Sequence, residues 1–299
     1  MLLDCAIIGG GPAGLNAALM LGRSRRNVML FDDNRPRNGV TQRSHGFLTR
    51  DGVAPEELRR IAREELGKYA SVQWRQARIT EVTRPEVFQL ETGAGERYHA
   101  RTIIIAAGLR EELPAVDGMK EYYGKSLFGC PYCDGWELRD RPLVLITDHE
   151  HAFHTAKLIA NWSRDLIVCT NGRRLLTTAQ QEALRAKGIS VYEQRIAALA
   201  GRHGQLEKVV WADGAEARRA GGFVTARWTQ AASFGATLGC AADSFGGLLI
   251  DSFGRTSVPG VYAAGDSASF APSQLIIAAS GGSRAAIGVN TDLVQADFG

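Results

Sequence analysis

Two cysteines separated by two residues form the most reactive pattern in the sequence. Cys130 and Cys133 lie in the stretch Cys-Pro-Tyr-Cys, and Asp134 follows them directly. Two thiols at this spacing can close into a disulfide on one turn, and a neighbouring acid can change which sulfur is the thiolate. The chain has five cysteines in 299 residues, an odd and sparse set that argues against a secreted disulfide framework. The pattern therefore predicts a centre that alternates between dithiol and disulfide.

The same two cysteines also fit a zinc pattern, which is the competing interpretation. His149 and His154 follow at a spacing that formally matches a two-Cys two-His site. A strand is predicted over residues 142–146, between the two halves of this pattern, and the glycine turn described next accounts for the chain without zinc. We therefore predict no metal site.

A glycine-rich turn near the start of the chain predicts a dinucleotide-binding site. The hexapeptide Gly9-Gly10-Gly11-Pro12-Ala13-Gly14 satisfies the G-x-G-x-x-G pattern, and Asp32 follows 18 positions after the last glycine. In this pattern the first glycine permits a tight turn, the second lets the backbone meet a pyrophosphate, and the third lets helix pack on strand. The acid would accept hydrogen bonds from an adenosine ribose. The motif alone does not choose between FAD and NAD.

The hydrophobic periodicity predicts the strands and helices that position these residues. A strand over 4–8 precedes the glycine turn, a helix through Leu21 follows it, and a second strand over 27–31 runs into Asp32. The next predicted elements are a helix over 56–69, an antiparallel pair of strands over 76–82 and 87–91, and a strand over 101–105 that runs into Ala106-Ala107-Gly108. A second strand-helix-strand unit is predicted over 142–146, 152–162 and 166–169. The last predicted elements are a strand over 260–264, which leads through Gly265-Asp266, and a helical stretch over 273–293.

This order of elements predicts an α/β protein with two Rossmann-like, three-layer nucleotide-binding domains. The strand that ends at Gly265 is more similar to the strand that ends at Gly108 than to any segment between them. We therefore predict that residues 1–113 and 245–299 form one discontinuous domain, and that residues 114–244, which carry the cysteine pair, are inserted between its two parts.

The composition excludes several classes of protein. Lys and Arg number 35 and Asp and Glu 32, so the net charge of +3 is too small to favour nucleic acid or an anionic membrane as a partner. No apolar run approaches the roughly 18 residues of a membrane span, and a cytoplasmic protein is expected. Cys5 and Cys169 lie in apolar strand patterns typical of small core residues, and the role of Cys240 is left open.

The motifs together resemble those of the low-molecular-weight thioredoxin reductase family of flavoproteins. The resemblance rests on the glycine hexapeptide, on Ala106-Ala107-Gly108, on the Cys130–Gly135 block and on the stretch 258–266, whose order and spacing span nearly the whole chain. It implies FAD on the discontinuous domain, with the pyrophosphate over the hexapeptide and the ribityl-phosphate region near Gly265 and Asp266. The candidate cofactor-binding residues are Gly9, Gly11, Pro12, Ala13, Gly14, Asp32, Asn38, His45, Ala107, Gly108, Gly265, Asp266 and Gln274.

The resemblance also implies roles for the residues around the cysteine pair. Cys133 would face the flavin, Cys130 would attack an external disulfide, and Asp134 would move the proton that thiol-disulfide exchange requires. Gln274 would cover the flavin ring. For His45, contact with the cofactor and a structural role in its loop are equal alternatives. A homodimer is also expected by resemblance.

The second nucleotide-binding motif departs from the family pattern. In the stretch 147–152, Thr147 and His149 take the two leading glycine positions, and acidic residues at 148 and 150 add charge that would repel a phosphate. The basic cluster that the family uses for the 2′-phosphate of NADPH is missing, and Arg173 and Arg174 are displaced from its position. We therefore expect NADPH and NADH to bind poorly; the alternative is a drifted motif that still binds.

This combination resembles the atypical branches of the family, and the blocks 45–52 and 130–137 are more similar to these branches than to the NADPH enzymes. These branches are ferredoxin-fed flavin thioredoxin reductases, deeply rooted reductase-like flavoproteins of photosynthetic bacteria of the cyanobacterial type, and dithiol oxidases of the gliotoxin and holomycin type. The sequence does not choose among them. The space vacated by NADPH is also left open: it is empty, filled by side chains, or occupied by another nucleotide.

The leading hypothesis is an FAD-dependent disulfide oxidoreductase that passes electrons between the flavin, the Cys130/Cys133 disulfide and a thiol or disulfide partner. The partner would be a thioredoxin-like protein or a small dithiol or disulfide, and ferredoxin is a candidate electron donor. The alternatives are an oxygen-using oxidase of small dithiols, an ordinary NADPH thioredoxin reductase, and a non-catalytic flavin-binding sensor or adaptor.

Overall fold

The structure is a computed structural model that describes residues 2–299; Met1, the first residue of the predicted range 1–113, lies outside the described residues. The chain divides into two compact units. Unit 1 consists of the segments up to Gly39, Gly46–Arg110 and Trp228–Gly299, and unit 2 consists of Val40–His45 and Glu111–Arg227. The predicted domain ranges, 1–113, 114–244 and 245–299, stay a prediction beside this division.

A seven-stranded sheet forms the centre of unit 1. Its strands are β1 (Leu2–Ile8), β2 (Val28–Asp32), β3 (Val72–Gln76), β4 (Ile79–Thr83), β5 (Phe88–Thr92), β6 (Arg97–Ile105) and β17 (Val261–Ala263). Their order in the sheet is β3-β2-β1-β6-β5-β4, and the short strand β17 pairs with the second half of β6. The pairs β1–β2, β2–β3, β1–β6 and β6–β17 are parallel, whereas β5 is antiparallel to both β4 and β6.

Alternating apolar residues give this sheet a hydrophobic core on each face. Ile7 and Ile104 point into one core, and the neighbouring Ile8 and Ile105 point into the other. The first of these cores also contains buried residues of the helices α1 (Pro12–Arg23) and α8 (Leu275–Phe298). The helices of unit 1 are α1 (Pro12–Arg23), α2 (Pro55–Leu66), α7 (Phe234–Thr237) and α8 (Leu275–Phe298), with a short 3-10 helix over Gly265–Ser267. A proline stands in the first turn of both α1 and α2, where its missing N–H costs no hydrogen bond.

A five-stranded parallel sheet forms the centre of unit 2. Its strands are β8 (Leu127–Phe128), β9 (Leu143–Ile146), β10 (Leu166–Cys169), β11 (Ser190–Tyr192) and β15 (Gly221–Val224). Their order in the sheet is β11-β10-β9-β15-β8. A three-stranded antiparallel sheet accompanies it, made of β12 (Ile196–Arg202), β13 (Gln205–Trp211) and β14 (Glu216–Arg218). The helices are α3 (Met119–Tyr122), α4 (Pro131–Asp134), α5 (Ala152–Ile159) and α6 (Thr178–Arg185).

The chain passes between the units through β7 (Leu109–Glu112) and β16 (Arg227–Gln230), which form a two-stranded sheet. The predicted α/β class with parallel, Rossmann-like sheets is confirmed. The predicted order of strand, turn, helix and strand is also confirmed in each unit, at β1-α1-β2 and at β9-α5-β10. Among residues 2–299, no helix is both long and apolar enough to cross a membrane.

Candidate active site

Parallel strands bring the predicted cofactor-binding residues of unit 1 to one edge of the sheet. Ile8 pairs with Phe31 and with Ile105, and Ile105 pairs with Ala263, so these strands end at the same level. The residues at or just after those strand ends are Gly9, Asp32, Ala107, Gly108, Gly265 and Asp266. In open α/β sheets, ligands bind outside the carboxyl ends of the strands. The geometry therefore gathers these residues at an edge suited to a dinucleotide.

The glycine turn has open space beside Gly11, and close backbone contacts at Gly9 and Gly14. A Cβ atom at Gly9 would overlap the carbonyl oxygen of Ala106, and one at Gly14 would overlap the carbonyl oxygen of Gly9. At Gly11, apart from its chain neighbours, no heavy atom of residues 2–299 lies within 4 Å of an added Cβ. Gly11 is also the N-cap of α1, whose first N–H groups favour an anion. The turn thus fits the pyrophosphate of FAD.

Asp32 carries a buried oxygen that lacks a hydrogen bond. Its Oδ1 accepts from the backbone N–H of Asn34 at 3.2 Å, but its Oδ2 has no hydrogen-bond partner among residues 2–299. The nearest cation is Arg59, whose Nη1 lies 3.7 Å from Oδ2. Because a buried acceptor without a partner costs free energy, a ribose hydroxyl at this position would stabilise the site. This orphaned oxygen fits the adenosine ribose of FAD.

Asp266 is held in place by two side chains that the sequence did not single out. Arg37 Nη2 lies 2.8 Å from Asp266 Oδ2, and the hydroxyl of Ser273 is 2.9 Å from both carboxylate oxygens. The neighbouring Ser267 Oγ accepts a hydrogen bond from the N–H of Gly108 at 2.9 Å, which joins two of the strand ends. Asp266 and Gly108 are therefore parts of one connected edge.

The last helix begins beside this edge. Gln274 is the N-cap of α8, as predicted for the start of a helix, and Gly265 is in a left-handed conformation with φ +63°. A Cβ at Gly282 would overlap the carbonyl oxygen of Ala13, so α8 packs directly on the first turn of α1, within the glycine motif. Asn16 fixes this contact, since its side chain donates to Ala279 O at 2.8 Å. The cofactor roles of these residues stay predictions.

Two predicted cofactor-binding residues lie in the segment after β2. Asn38 is in a short 3-10 helix over Arg37–Val40. His45 lies in the Val40–His45 segment, which belongs to unit 2. Its Nε2 is 3.6 Å from Oε1 of Glu137, so its observed neighbour is an acid near the cysteine pair.

Cys130 and Cys133 form a disulfide, with Cα atoms 5.3 Å apart. Cys130 is the N-cap of the four-residue helix α4, and its carbonyl oxygen accepts from the N–H groups of Cys133 and Asp134, both at 3.2 Å. Gly135 follows α4, and a Cβ there would lie 2.8 Å from the ring of Trp162. The predicted disulfide pairing is confirmed.

Asp134 is a partly buried acid immediately after the disulfide. Burial, and to a smaller extent the nearby negative charge of Glu137, raise its pKa from 3.8 to about 7. Near neutral pH, a substantial fraction of this carboxyl group therefore carries a proton. Such a group can give a proton to a departing thiolate and take one from an attacking thiol.

Two aromatic side chains next to the disulfide are exposed. Tyr132, between the cysteines, is 64% exposed, and Trp136 is 65% exposed. The guanidinium of Arg139 lies 4.0 Å from the centre of the Trp136 ring. Two aromatic rings close to the cysteine pair in the sequence are therefore accessible at the surface.

The other three cysteines are buried and unpaired by disulfides. Burial raises the pKa of the Cys5 and Cys169 thiols to about 12, so neither is a thiolate at neutral pH. Cys240 Sγ lies 3.4 Å from Thr256 Oγ1, and burial raises its pKa as well. In the described part of the chain, no group of three or more His, Cys, Asp and Glu is arranged to hold a metal ion.

Several residues of the site were missed because their sequence positions carry no motif. Arg37, Ser273 and Arg59 reach their acidic partners only through the fold. Glu137 could have been found, since it stands three residues after Asp134 and two such residues are neighbours on a helical turn.

Comparisons with known proteins show that this chain is similar to disulfide oxidoreductases over nearly its whole length. The sequence profile described as pyridine nucleotide-disulphide oxidoreductase matches residues 3–282. A crystal structure assigned to thioredoxin reductase TrxB of Bacillus anthracis is 45% identical, with a TM-score of 0.96, and the match covers 99% of this chain and 100% of that chain. The crystal structure of HlmI is 34% identical, with a TM-score of 0.94, over 99% of this chain and 94% of that chain.

Curated relatives of this chain are also thioredoxin reductases by name. Thioredoxin reductase aclD of Aspergillus oryzae is 29% identical over 310 residues, which cover 98% of this chain and 96% of the relative. A thioredoxin reductase of Arthroderma benhamiae is 36% identical over 176 residues, 56% of this chain, and there the match spans only 44% of the relative.

Proposed function

The chain belongs to the pyridine nucleotide-disulphide oxidoreductase family, and on this basis we propose that it moves electrons between bound FAD, the Cys130–Cys133 disulfide and an external thiol or disulfide. It is a thioredoxin reductase-like enzyme, and thioredoxin reductases are FAD-binding flavoproteins. The observation that carries the proposal is the disulfide followed directly by an acid whose pKa lies near 7.

The residues of unit 1 would hold the cofactor by its phosphates and its adenosine. The N-terminus of α1 and the open face at Gly11 would receive the pyrophosphate, and the orphaned Oδ2 of Asp32 would accept from the ribose. Asp266, fixed by Arg37 and Ser273, would contact the ribityl-phosphate region. When bound, FAD supplies the two-electron chemistry that protein side chains lack.

The cysteine pair would exchange disulfides in two steps. After the disulfide has received two electrons, the Cys130 sulfur attacks one sulfur of a partner disulfide and releases the partner's other sulfur as a thiolate. The Cys133 sulfur then attacks Cys130, which restores the internal disulfide and releases the partner's second sulfur. The partner gains two electrons and two protons, and the enzyme returns to its disulfide form.

Asp134 would control the protons of these steps. In its neutral form the carboxyl group donates a proton to the first partner thiolate, and as a carboxylate it accepts a proton from the next thiol. A pKa of about 7 lets both forms be present near neutral pH. Glu137 helps to set this balance because its charge disfavours ionisation of Asp134.

The partner, electron donor and assembly belong to the same proposal. The thiol partner is a thioredoxin-like protein or a small dithiol or disulfide, ferredoxin is a candidate donor, and the enzyme acts in the cytoplasm as a homodimer. Support for a disulfide partner comes from relatives named thioredoxin reductases.

A second candidate runs the same chemistry in the opposite direction, closing a small dithiol with oxygen as the electron acceptor. The observation in its favour is the exposure of Tyr132, between the cysteines, and of Trp136, three residues after Cys133, which offers apolar surface to a small molecule. Measuring oxygen uptake with dithiothreitol as the substrate tests it. Uptake that depends on Cys130 supports the oxidase direction, and no uptake removes this candidate.

An anaerobic dithionite titration of the FAD-loaded protein tests the proposal itself. The disulfide should take up two electrons beyond the two taken by the flavin. The Cys133→Ser variant should keep its FAD but stop at the flavin, whereas the matched control Cys240→Ser should behave like the unchanged protein. Equal uptake in Cys133→Ser and the unchanged protein would contradict the proposed electron path and favour a passive flavin binder.

A further inference from the structure

The turn between β9 and α5 stands where a second dinucleotide would bind. β9 is flanked by β10 and β15 in the parallel sheet of unit 2, and the turn leaves from its carboxyl end. Phosphates bind at this position in open parallel sheets because backbone N–H groups and the following helix face them. The contacts made by this turn therefore decide whether unit 2 accepts a nicotinamide nucleotide.

One carboxylate of the turn is bound by arginines that follow both flanking strands. Arg227, which comes after β15, donates from Nη2 to Asp148 Oδ2 at 3.1 Å. Arg173, which comes after β10, has its Nη2 3.8 Å from the same oxygen and donates from Nη1 to the Asp148 carbonyl at 3.5 Å. The Asp148 side chain is only 20% exposed, whereas both arginines are more than half exposed. The acid thus takes the position of an anion between two cations.

The backbone N–H groups of the turn also have internal partners. The N–H of His149 donates to Thr147 Oγ1 at 3.1 Å, and the N–H of His151 donates to His149 Nδ1 at 3.3 Å. The N–H of Ala152 donates to the carbonyl oxygen of His149 at 3.1 Å. A pyrophosphate would have to break these hydrogen bonds as well as the ion pairs, and the buried Thr147 leaves no glycine-like opening for it.

We propose that Asp148 is a specificity-determining residue that excludes pyridine nucleotides by occupying, with its own carboxylate, the place of their phosphates. A phosphate that displaced it would leave a carboxylate that is only 20% exposed without its cationic partners, which costs free energy. The residues of this turn therefore do not fit the nucleotide that the family name implies, and the proposed FAD site takes its electrons from a ferredoxin or a small dithiol instead. This last step rests on the proposed function; the exclusion itself does not.

Calorimetric titration of the FAD-loaded protein with ADP and with inorganic phosphate tests the exclusion. ADP carries the diphosphate of a dinucleotide, and phosphate is small enough to avoid crowding by Thr147. Asp148→Asn should free Arg173 and Arg227 and strengthen binding of at least one probe about tenfold or more, an effect that added salt should weaken. Glu150→Gln is the matched control, since it removes a charge from the same turn without touching the arginine pair.

The outcomes separate clearly. Stronger binding in Asp148→Asn and not in Glu150→Gln supports the proposal. Equal affinities in Asp148→Asn and the unchanged protein, or micromolar ADP binding by the unchanged protein, would overturn it. Asp148→Ser is the second variant, with the same expectation, should the asparagine variant fail to fold. Because the readout is binding, a failure here is distinct from a failure of the dithionite titration, which reports on the cysteine pair.

Discussion

Asp134 shows how one side chain can acquire a function from its surroundings. An ordinary aspartate is ionised at neutral pH, but partial burial and the charge of Glu137 raise the pKa of this one to about 7. It also lies directly after Cys133, and the proposed function gives its proton to the thiols of the cysteine pair. Perturbed acids of this kind cluster at functional sites.

Replacing this acid should affect turnover more than binding. We expect Asp134→Asn to lower the rate of disulfide exchange by roughly 10²–10⁴-fold, because the amide cannot supply the proton. The rate of the unchanged protein should decline above about pH 7, and the variant should lose that pH dependence. Steady-state kinetics across pH checks this; Glu182→Asn, on the exposed surface of α6, is the control. An unchanged pH profile in Asp134→Asn would assign the proton to another group.

The same pKa shift predicts how the stability of the protein changes with pH. The pKa of Asp134 is raised in the folded state, from 3.8 to about 7, so between about pH 4 and pH 7 the folded state binds more protons than the unfolded state. The free energy of unfolding contributed by this group therefore falls as pH rises through that window and is constant above it. Asp134→Asn should flatten this part of the curve. Urea titrations at pH 4.5 and pH 8 test it, and a difference unchanged by the substitution would contradict the shift.

At the scale of elements, different glycines of the turn between β1 and α1 are expected to serve the stability of the fold and the binding of the cofactor. Gly14 packs against the carbonyl of Gly9, whereas Gly11 faces open space. A methyl group should therefore have different consequences at the two positions, although both belong to one motif.

We expect Gly14→Ala to destabilise the protein by about 1–3 kcal/mol, because the added atom overlaps backbone. Gly11→Ala should leave the stability of the FAD-free protein nearly unchanged but weaken FAD binding, since the methyl group enters the space proposed for the pyrophosphate. Thermal unfolding and FAD fluorescence measure the two effects. Gly93→Ala is the control, because a Cβ there meets only ordinary contacts at 3.7 Å. Normal FAD affinity in Gly11→Ala would move the phosphate site elsewhere.

The elements that the sequence predicted are those with a strong hydrophobic period. β1, β9 and β10 are almost wholly buried, and α1 follows a motif of known geometry. The sheet of β12–β14 and the strand β3 were missed because many of their residues are exposed, which weakens the pattern. Spacing also revealed Cys130 and Cys133. It could not reveal the pairing of Asp148 with Arg227, because 79 residues separate them and only the strand order brings them together.

At the scale of the whole molecule, cofactor binding should be linked to stability. A ligand that binds only the folded protein stabilises it by about 2.7 kcal/mol at a free concentration 100 times its Kd. We expect saturating FAD to raise the Tm by several degrees, and Gly11→Ala to need more FAD for the same increase. Differential scanning calorimetry over a series of FAD concentrations measures this. A Tm independent of FAD would argue against a site formed by the folded chain.

The discontinuity of unit 1 has a consequence for synthesis on the ribosome. β17 and α8, which complete its sheet and cover α1, are translated after the whole of Glu111–Arg227. Because domains generally fold as they emerge, we predict that the disulfide-bearing unit becomes protease-resistant in nascent chains stalled near residue 260, with the ribosomal tunnel covering their last residues. Protection of Glu111–Arg227 only in the finished chain would refute this order. In the predicted order, the nascent chain possesses its reactive cysteines before it can hold the flavin that would exchange electrons with them.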